Sequence, residues 1–138
     1  MLARLVLVLT VLIGMRADAS GGLDVRTTCT ADVARDPAHL RTLRGELARA
    51  LADLHAPAGH TLDVSLVTLA TTAHGTELEV RAELRAILSD ERGRIRWSSA
   101  ARATARGGLR DRTLLQRDAV GAAARRLAEV VRARCCSS

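Results

Sequence analysis

The sequence predicts an α+β fold, a two-layer sandwich with two helices on one face of a four-stranded, mainly antiparallel sheet. Three observations carry that expectation. Between residues 77 and 88, Leu78, Val80, Ala82, Leu84, Ala86 and Leu88 share one parity, and Glu77, Glu79, Arg81, Glu83 and Arg85 the other. After the turn Ser89-Asp90-Glu91-Arg92-Gly93, Ile95, Trp97, Ser99, Ala101 and Ala103 alternate with Arg94, Arg96, Ser98, Arg102 and Thr104. Successive side chains of a strand point to opposite faces, so this is a β-hairpin with one apolar face that something must cover. Two segments with apolar residues at helical spacing, one before and one after the hairpin, supply the cover.

In chain order, Leu23, Val25, Thr27 and Cys29 alternate with Asp24, Arg26 and Thr28, a short first strand. Asp36-Pro37 caps the first helix, with Pro at a position where its missing N–H does no harm. Leu40, Leu43, Leu47, Leu51 and Leu54 form its stripe, and His55–Gly59 ends it. The second strand covers about Thr61 to Thr72. Leu62, Val64 and Leu66 share a face, but Val67 and Leu69 fall on the other parity, which signals a bulge or cover on both sides. Gly107-Gly108 breaks the sheet, and Thr113-Leu114-Leu115-Gln116 has capping-box spacing for a second helix ending near Arg134. Its buried stripe reads Leu115, Ala119, Val120, Ala123, Ala124, Leu127, Val130 and Val131, with Gly121 and the alanines allowing close approach to the sheet. The order is strand, helix, three strands, helix. Leu47, Leu84, Trp97 and Leu127 are the expected centre of the core.

The first residues read as a secretory signal peptide: Arg4, an apolar run from Leu5 to Met15, then Ala17-Asp18-Ala19. Cleavage is expected after Ala19, leaving residues 20–138 as a single domain. The apolar run is shorter than the roughly 20 residues a membrane-spanning helix needs. A periplasmic or secreted location follows.

The formal charge is +6, and every basic residue is arginine. Such a balance suits an anionic partner, but the acidic residues are interleaved with the arginines, as on a solvated face. Trp97 is the only aromatic residue, so the core is built from Leu, Val, Ile and Ala.

Cys29, Cys135 and Cys136 allow three pairings of one bridge. A bond between the adjacent Cys135 and Cys136 would be strained, which favours Cys29 with either of them; three free thiols are the other outcome.

No catalytic or cofactor pattern is present. His39, His55, His60 and His74 share no ligand spacing, and His-Glu-x-x-His, Gly-x-Ser-x-Gly and a phosphate-binding Gly-rich loop are all missing. The histidines are expected to be exposed in loops. The carboxylates of the polar sheet face have Arg neighbours that hold them ionised, which does not suit a general acid. Neither an enzyme nor a metal, cofactor or small-molecule substrate is expected.

Two functional classes remain. An Arg-rich sheet could follow a nucleic-acid backbone or an anionic surface, but sheet-based binders of single strands add aromatic stacking platforms, and Glu77, Glu79 and Glu83 would repel phosphate. The favoured class is an exported, non-catalytic envelope accessory or adaptor acting through contacts with an envelope protein. Val67, Leu69, Arg94, Arg96 and Arg102 are its candidate contact residues. The succession Asp36-Pro37…Leu54, the meander Leu62–Thr104 and the segment Leu114–Arg134 resembles the small periplasmic α/β domain of the lipopolysaccharide-assembly lipoproteins. That resemblance implies the two-layer fold and an envelope role. The family carries a lipidated cysteine directly after its signal, whereas Ser20 stands there in this sequence.

Overall fold

The computed structural model describes residues 23–30, 36–55 and 58–136, without the side chains of Cys135 and Cys136. The expected signal peptide and its cleavage site lie outside these residues. The elements are β1 (Asp24–Cys29), α1 (Pro37–Ala50), β2 (Thr61–His74), β3 (Glu77–Ser89), β4 (Ile95–Gly108), a single 3-10 turn, and α2 (Arg112–Cys136). The sheet order is β1-β2-β3-β4, with β1 parallel to β2 and the other pairs antiparallel. This is the predicted α+β fold. A parallel pair needs a crossover connection, and α1 is that crossover, so it must lie over a face of the sheet.

Local chemistry fixes the ends of the elements. The Asp36 carboxylate accepts the Ala38 N–H at 2.9 Å, with Pro37 following the cap. α1 stops at Ala50, and Leu51 and Leu54 continue its buried stripe from a turn. The β2–β3 hairpin turns at Gly75, whose φ of +61° favours glycine. At the β3–β4 turn, Asp90 Oδ1 accepts the N–H groups of Arg92 and Arg94, both at 2.9 Å. Gly93 adopts φ +78° there.

One face of the sheet and both helices enclose the core. Leu43 and Leu47 of α1, Leu62, Val64 and Leu66 of β2, Val80 and Leu84 of β3, and Val120, Leu127 and Val131 of α2 are all fully buried. Trp97 is half-buried against this core, with the Arg134 guanidinium 5.5 Å from its ring centroid. Where α2 meets the sheet, small residues face each other: Ala119, Ala123 and Ala124 on the helix, Ala101 and Ala103 on β4. Leu115 Cδ2 lies 3.0 Å from where a Cβ on Gly107 would be, so a side chain at 107 would collide with it.

The bulge that the change of parity signalled is present: a register shift between Leu66 and Thr68 makes Val67 its extra residue. Four other expectations are corrected. The bulge resets the parity, so Leu69 pairs with Ala82 and packs against the core instead of facing solvent. A second shift, between Leu88 and Ser89, leaves Arg96 unpaired and turns Ile95 out of the face that holds Trp97; Ile95 is 66 % exposed. Gly121 faces α1, not the sheet: a Cβ there would lie 3.5 Å from the Glu46 side chain. Finally, His39 is buried inside α1 and His60 is half-buried, unlike the exposed His55 and His74.

Candidate contact surface

Among the described residues, no element covers the second face of the sheet. On β3 it presents Glu77, Glu79, Arg81, Glu83, Arg85 and Ile87, because helix cover selects the opposite parity. The register sets Glu79 opposite Arg106 and Glu83 opposite Arg102. Each carboxylate is held from two sides. Glu79 accepts from Arg81 Nε at 2.6 Å and meets Arg106 Nη2 at 2.9 Å. Glu83 meets Arg85 Nε at 3.5 Å and Arg102 Nε at 3.2 Å. Opposite charges across the hairpin thus join Glu79 to Arg106 and Glu83 to Arg102, while Glu77, the other acidic residue of this face, stands opposite Gly108.

Glu79 is buried although its face is otherwise open. Its carboxyl is held below the ordinary range, first by the hydrogen bond from Arg81 and then by the charges of Arg81 and Arg106, against a cost from desolvation. A depressed folded-state pKa means that the ionised form stabilises the fold. That stabilisation is present above the unfolded-state value of about 4.3 and is lost as pH falls through the folded one. The melting temperature of Glu79→Gln should accordingly depend less on pH below about 4 than that of the unaltered protein. Thermal melts at stepped pH, followed by Trp97 fluorescence, measure this; parallel curves would remove Glu79 from the acid response.

The predicted contact residues separate. Val67 is half-buried at its bulge and Leu69 belongs to the core side. Arg102 is exposed but pairs with Glu83. Arg94 and Arg96 lie together at the hairpin end, exposed, and their charges help hold the Asp90 carboxyl below its ordinary range after the backbone hydrogen bond from Arg94. Beside them are two residues that sequence reasoning did not select, Ile87 (39 % exposed) and Ile95. Ile87 is opposite Ser98 and Ile95 opposite Ser89, so the two isoleucines are diagonal neighbours on the open face. The odd parity of Ile87 was a visible signal. That of Ile95 was hidden by the Arg96 bulge.

β4 bounds the sheet and is 14 residues long. Arg126 of α2 reaches it and donates to the Arg102 carbonyl at 2.8 Å, a blunting of one point on an otherwise long edge. The Cys29 thiol is free and half-buried, and burial raises its pKa against the opposing effect of Arg44. Cys135 and Cys136, the alternative partners of Cys29 in the expected bridge, lie outside the described side chains. Among the described residues no group of three His, Cys, Asp or Glu is placed to hold a metal ion. No described helix is long and apolar enough to cross a membrane.

Solved structures share this architecture. A Caulobacter crescentus protein assigned as a lipoprotein superposes with a TM-score of 0.60 at 17% identity, covering 83% of this chain and 92% of its own. A minor lipoprotein from Acinetobacter baumannii gives 0.53 at 13% identity, covering 78% of this chain and 92% of its own. A Xanthomonas campestris protein of the family model DUF330 gives 0.53 at 18% identity, covering 70% of this chain and 60% of its own. At these identities the likeness is one of fold. No family model matches the chain, and no curated protein does.

Proposed function

We propose that this chain is an exported accessory protein of the bacterial envelope that works by contacting another protein through the open face of its sheet. The observation that carries this reading is the exposed Ile87–Ile95 pair at the hairpin end, set beside Arg94 and Arg96 on a face that no described element covers. Apolar residues ringed by guanidinium groups resemble the centre and rim of a protein interface. The signal-like first residues and the fold shared with lipoproteins of other bacteria support the envelope setting. Lipopolysaccharide assembly is one process that such an accessory would serve, on the strength of the shared architecture alone. Nucleic-acid binding is disfavoured on this face, because Glu79 and Glu83 occupy Arg81, Arg85, Arg102 and Arg106.

A photo-crosslinking residue at Ser98, between the isoleucines and the ion-pair ladder, tests the reading in living cells. A discrete protein adduct in the envelope fraction is expected, with none from the exposed Ala52 on the helical side. Ile95→Asp should remove the adduct while changing stability by less than about 0.5 kcal/mol, as a surface substitution. Recovery of the chain in the cytoplasm, or adducts unaffected by Ile95→Asp, would count against it.

A further inference from the structure

The two helices meet in a way that the contact reading does not use. Contacts between them advance in step: Glu46 with Arg125, then the Ala50 carbonyl at the end of α1 with Arg132. α1 and α2 are therefore parallel, and Arg41 falls alongside Arg117. Between the helices is a trough of about 390 Å³, lined by four arginines, Arg41 and Arg49 from α1 and Arg117 and Arg125 from α2. Two carboxylates, Glu46 and Asp118, share it. Glu46 joins Arg49 at 3.1 Å and Arg125 at 3.4 Å, which fixes one end of the trough. At the other end, Arg41 and Arg117 have no carboxylate within ion-pair distance among the described residues.

Two further features set that end apart. Gly45 and Gly121 line the trough, and a Cβ added at Gly45 would meet nothing within 4 Å. Glycine inside a helix costs about 1 kcal/mol relative to alanine, and no packing contact at Gly45 requires it. The result is open space between the two walls. Moreover, neither helix has an acidic residue in its first turn, although Asp36 caps α1 and Asp111 precedes α2. Both parallel helices thus direct the positive ends of their dipoles towards the end where Arg41 and Arg117 sit, with Asp36 already capping that of α1.

We propose that the trough between α1 and α2 binds a phosphate-bearing group, seated between the Arg41 and Arg117 guanidinium groups over Gly45. Guanidinium groups bind phosphate oxygens in pairs of parallel hydrogen bonds, and a narrow charged cleft concentrates anions. The volume suits a ligand the size of a lipid headgroup or small phosphoester. Either source presents the same chemistry.

The test uses the full chain with two probes: soluble glycerol 3-phosphate by calorimetry, and vesicles of phosphatidylglycerol in phosphatidylcholine by flotation. Three variants are compared, each checked by circular dichroism melting. Arg41→Gln/Arg117→Gln should weaken binding by about tenfold for each guanidinium removed. Gly45→Leu, which fills the open space and favours the helix, should weaken binding without loss of charge. Arg94→Gln/Arg96→Gln removes the same charge at the hairpin end and should leave binding unchanged. Binding of the soluble probe with this pattern supports the site with a phosphoester as ligand. Binding of vesicles alone with the same pattern supports it with a lipid headgroup. Failure of both probes, or equal weakening by the hairpin variant, overturns it.

Discussion

Replacing Leu84 with Asp is expected to abolish cooperative folding. Leu84 is fully buried at the middle of β3, opposite Leu66 on one side and Ala101 on the other. An aspartate there would need to ionise in an apolar layer, or take up a proton at considerable cost. It would also remove an apolar side chain from the strand that both hairpins share. Domains of this size have about 5–15 kcal/mol of stability in total, and an unpaired buried charge removes a large share of it. Urea melts followed by Trp97 fluorescence give the answer. A variant that keeps a sigmoidal transition near the original midpoint would mean that Leu84 faces solvent and that the register of β3 is shifted by one residue.

The second largest effect is expected from Leu127→Ala. Leu127 lies on α2 among Ala123, Ala124 and Ala128, so it is one of few large side chains in an alanine-rich contact with β3 and β4. Its loss leaves a cavity that small, backbone-tight neighbours cannot close, which places the cost at about 2–5 kcal/mol. The melting temperature should fall by roughly 4 °C for each kcal/mol in a domain of this length. Ala123→Leu is the complementary change. It over-packs the same contact and should destabilise by about 1–3 kcal/mol. If Ala123→Leu instead raised the melting temperature, the helix would not be as close to the sheet as described.

Much of this architecture is readable from residue order alone. Alternation in Leu78–Leu88 gives β3, its buried parity and its polar parity, because the period of a strand is two and only one face is covered. Asp36-Pro37 gives the start of α1, because the cap and the proline both act within a few residues. That the Glu and Arg residues share the open face is legible from the same alternation, whereas which of them are opposite each other depended on the Arg96 bulge.

Tertiary structure decided the rest. Two bulges, at Val67 and Arg96, sent Leu69 inward and Ile95 outward. A change of parity signalled the first, but nothing in the alternation of β4 marked the second, because an extra residue without a partner shows only once the neighbouring strand is in place. Gly121 was legible as a point of close approach, but its neighbour, Glu46 of α1, depended on the two helices being parallel, which follows from the parallel pairing of β1 with β2. The same pairing sets Arg41 beside Arg117. These residues are 76 positions apart, counting from 41 to 117, and no local pattern connects them. The sequence by itself determined the elements and, away from the bulges, their faces, because these are settled by short-range periodicity. The positions of the exposed isoleucines and of the arginine trough were settled only by packing, because each depends on what a distant strand or helix places next to it.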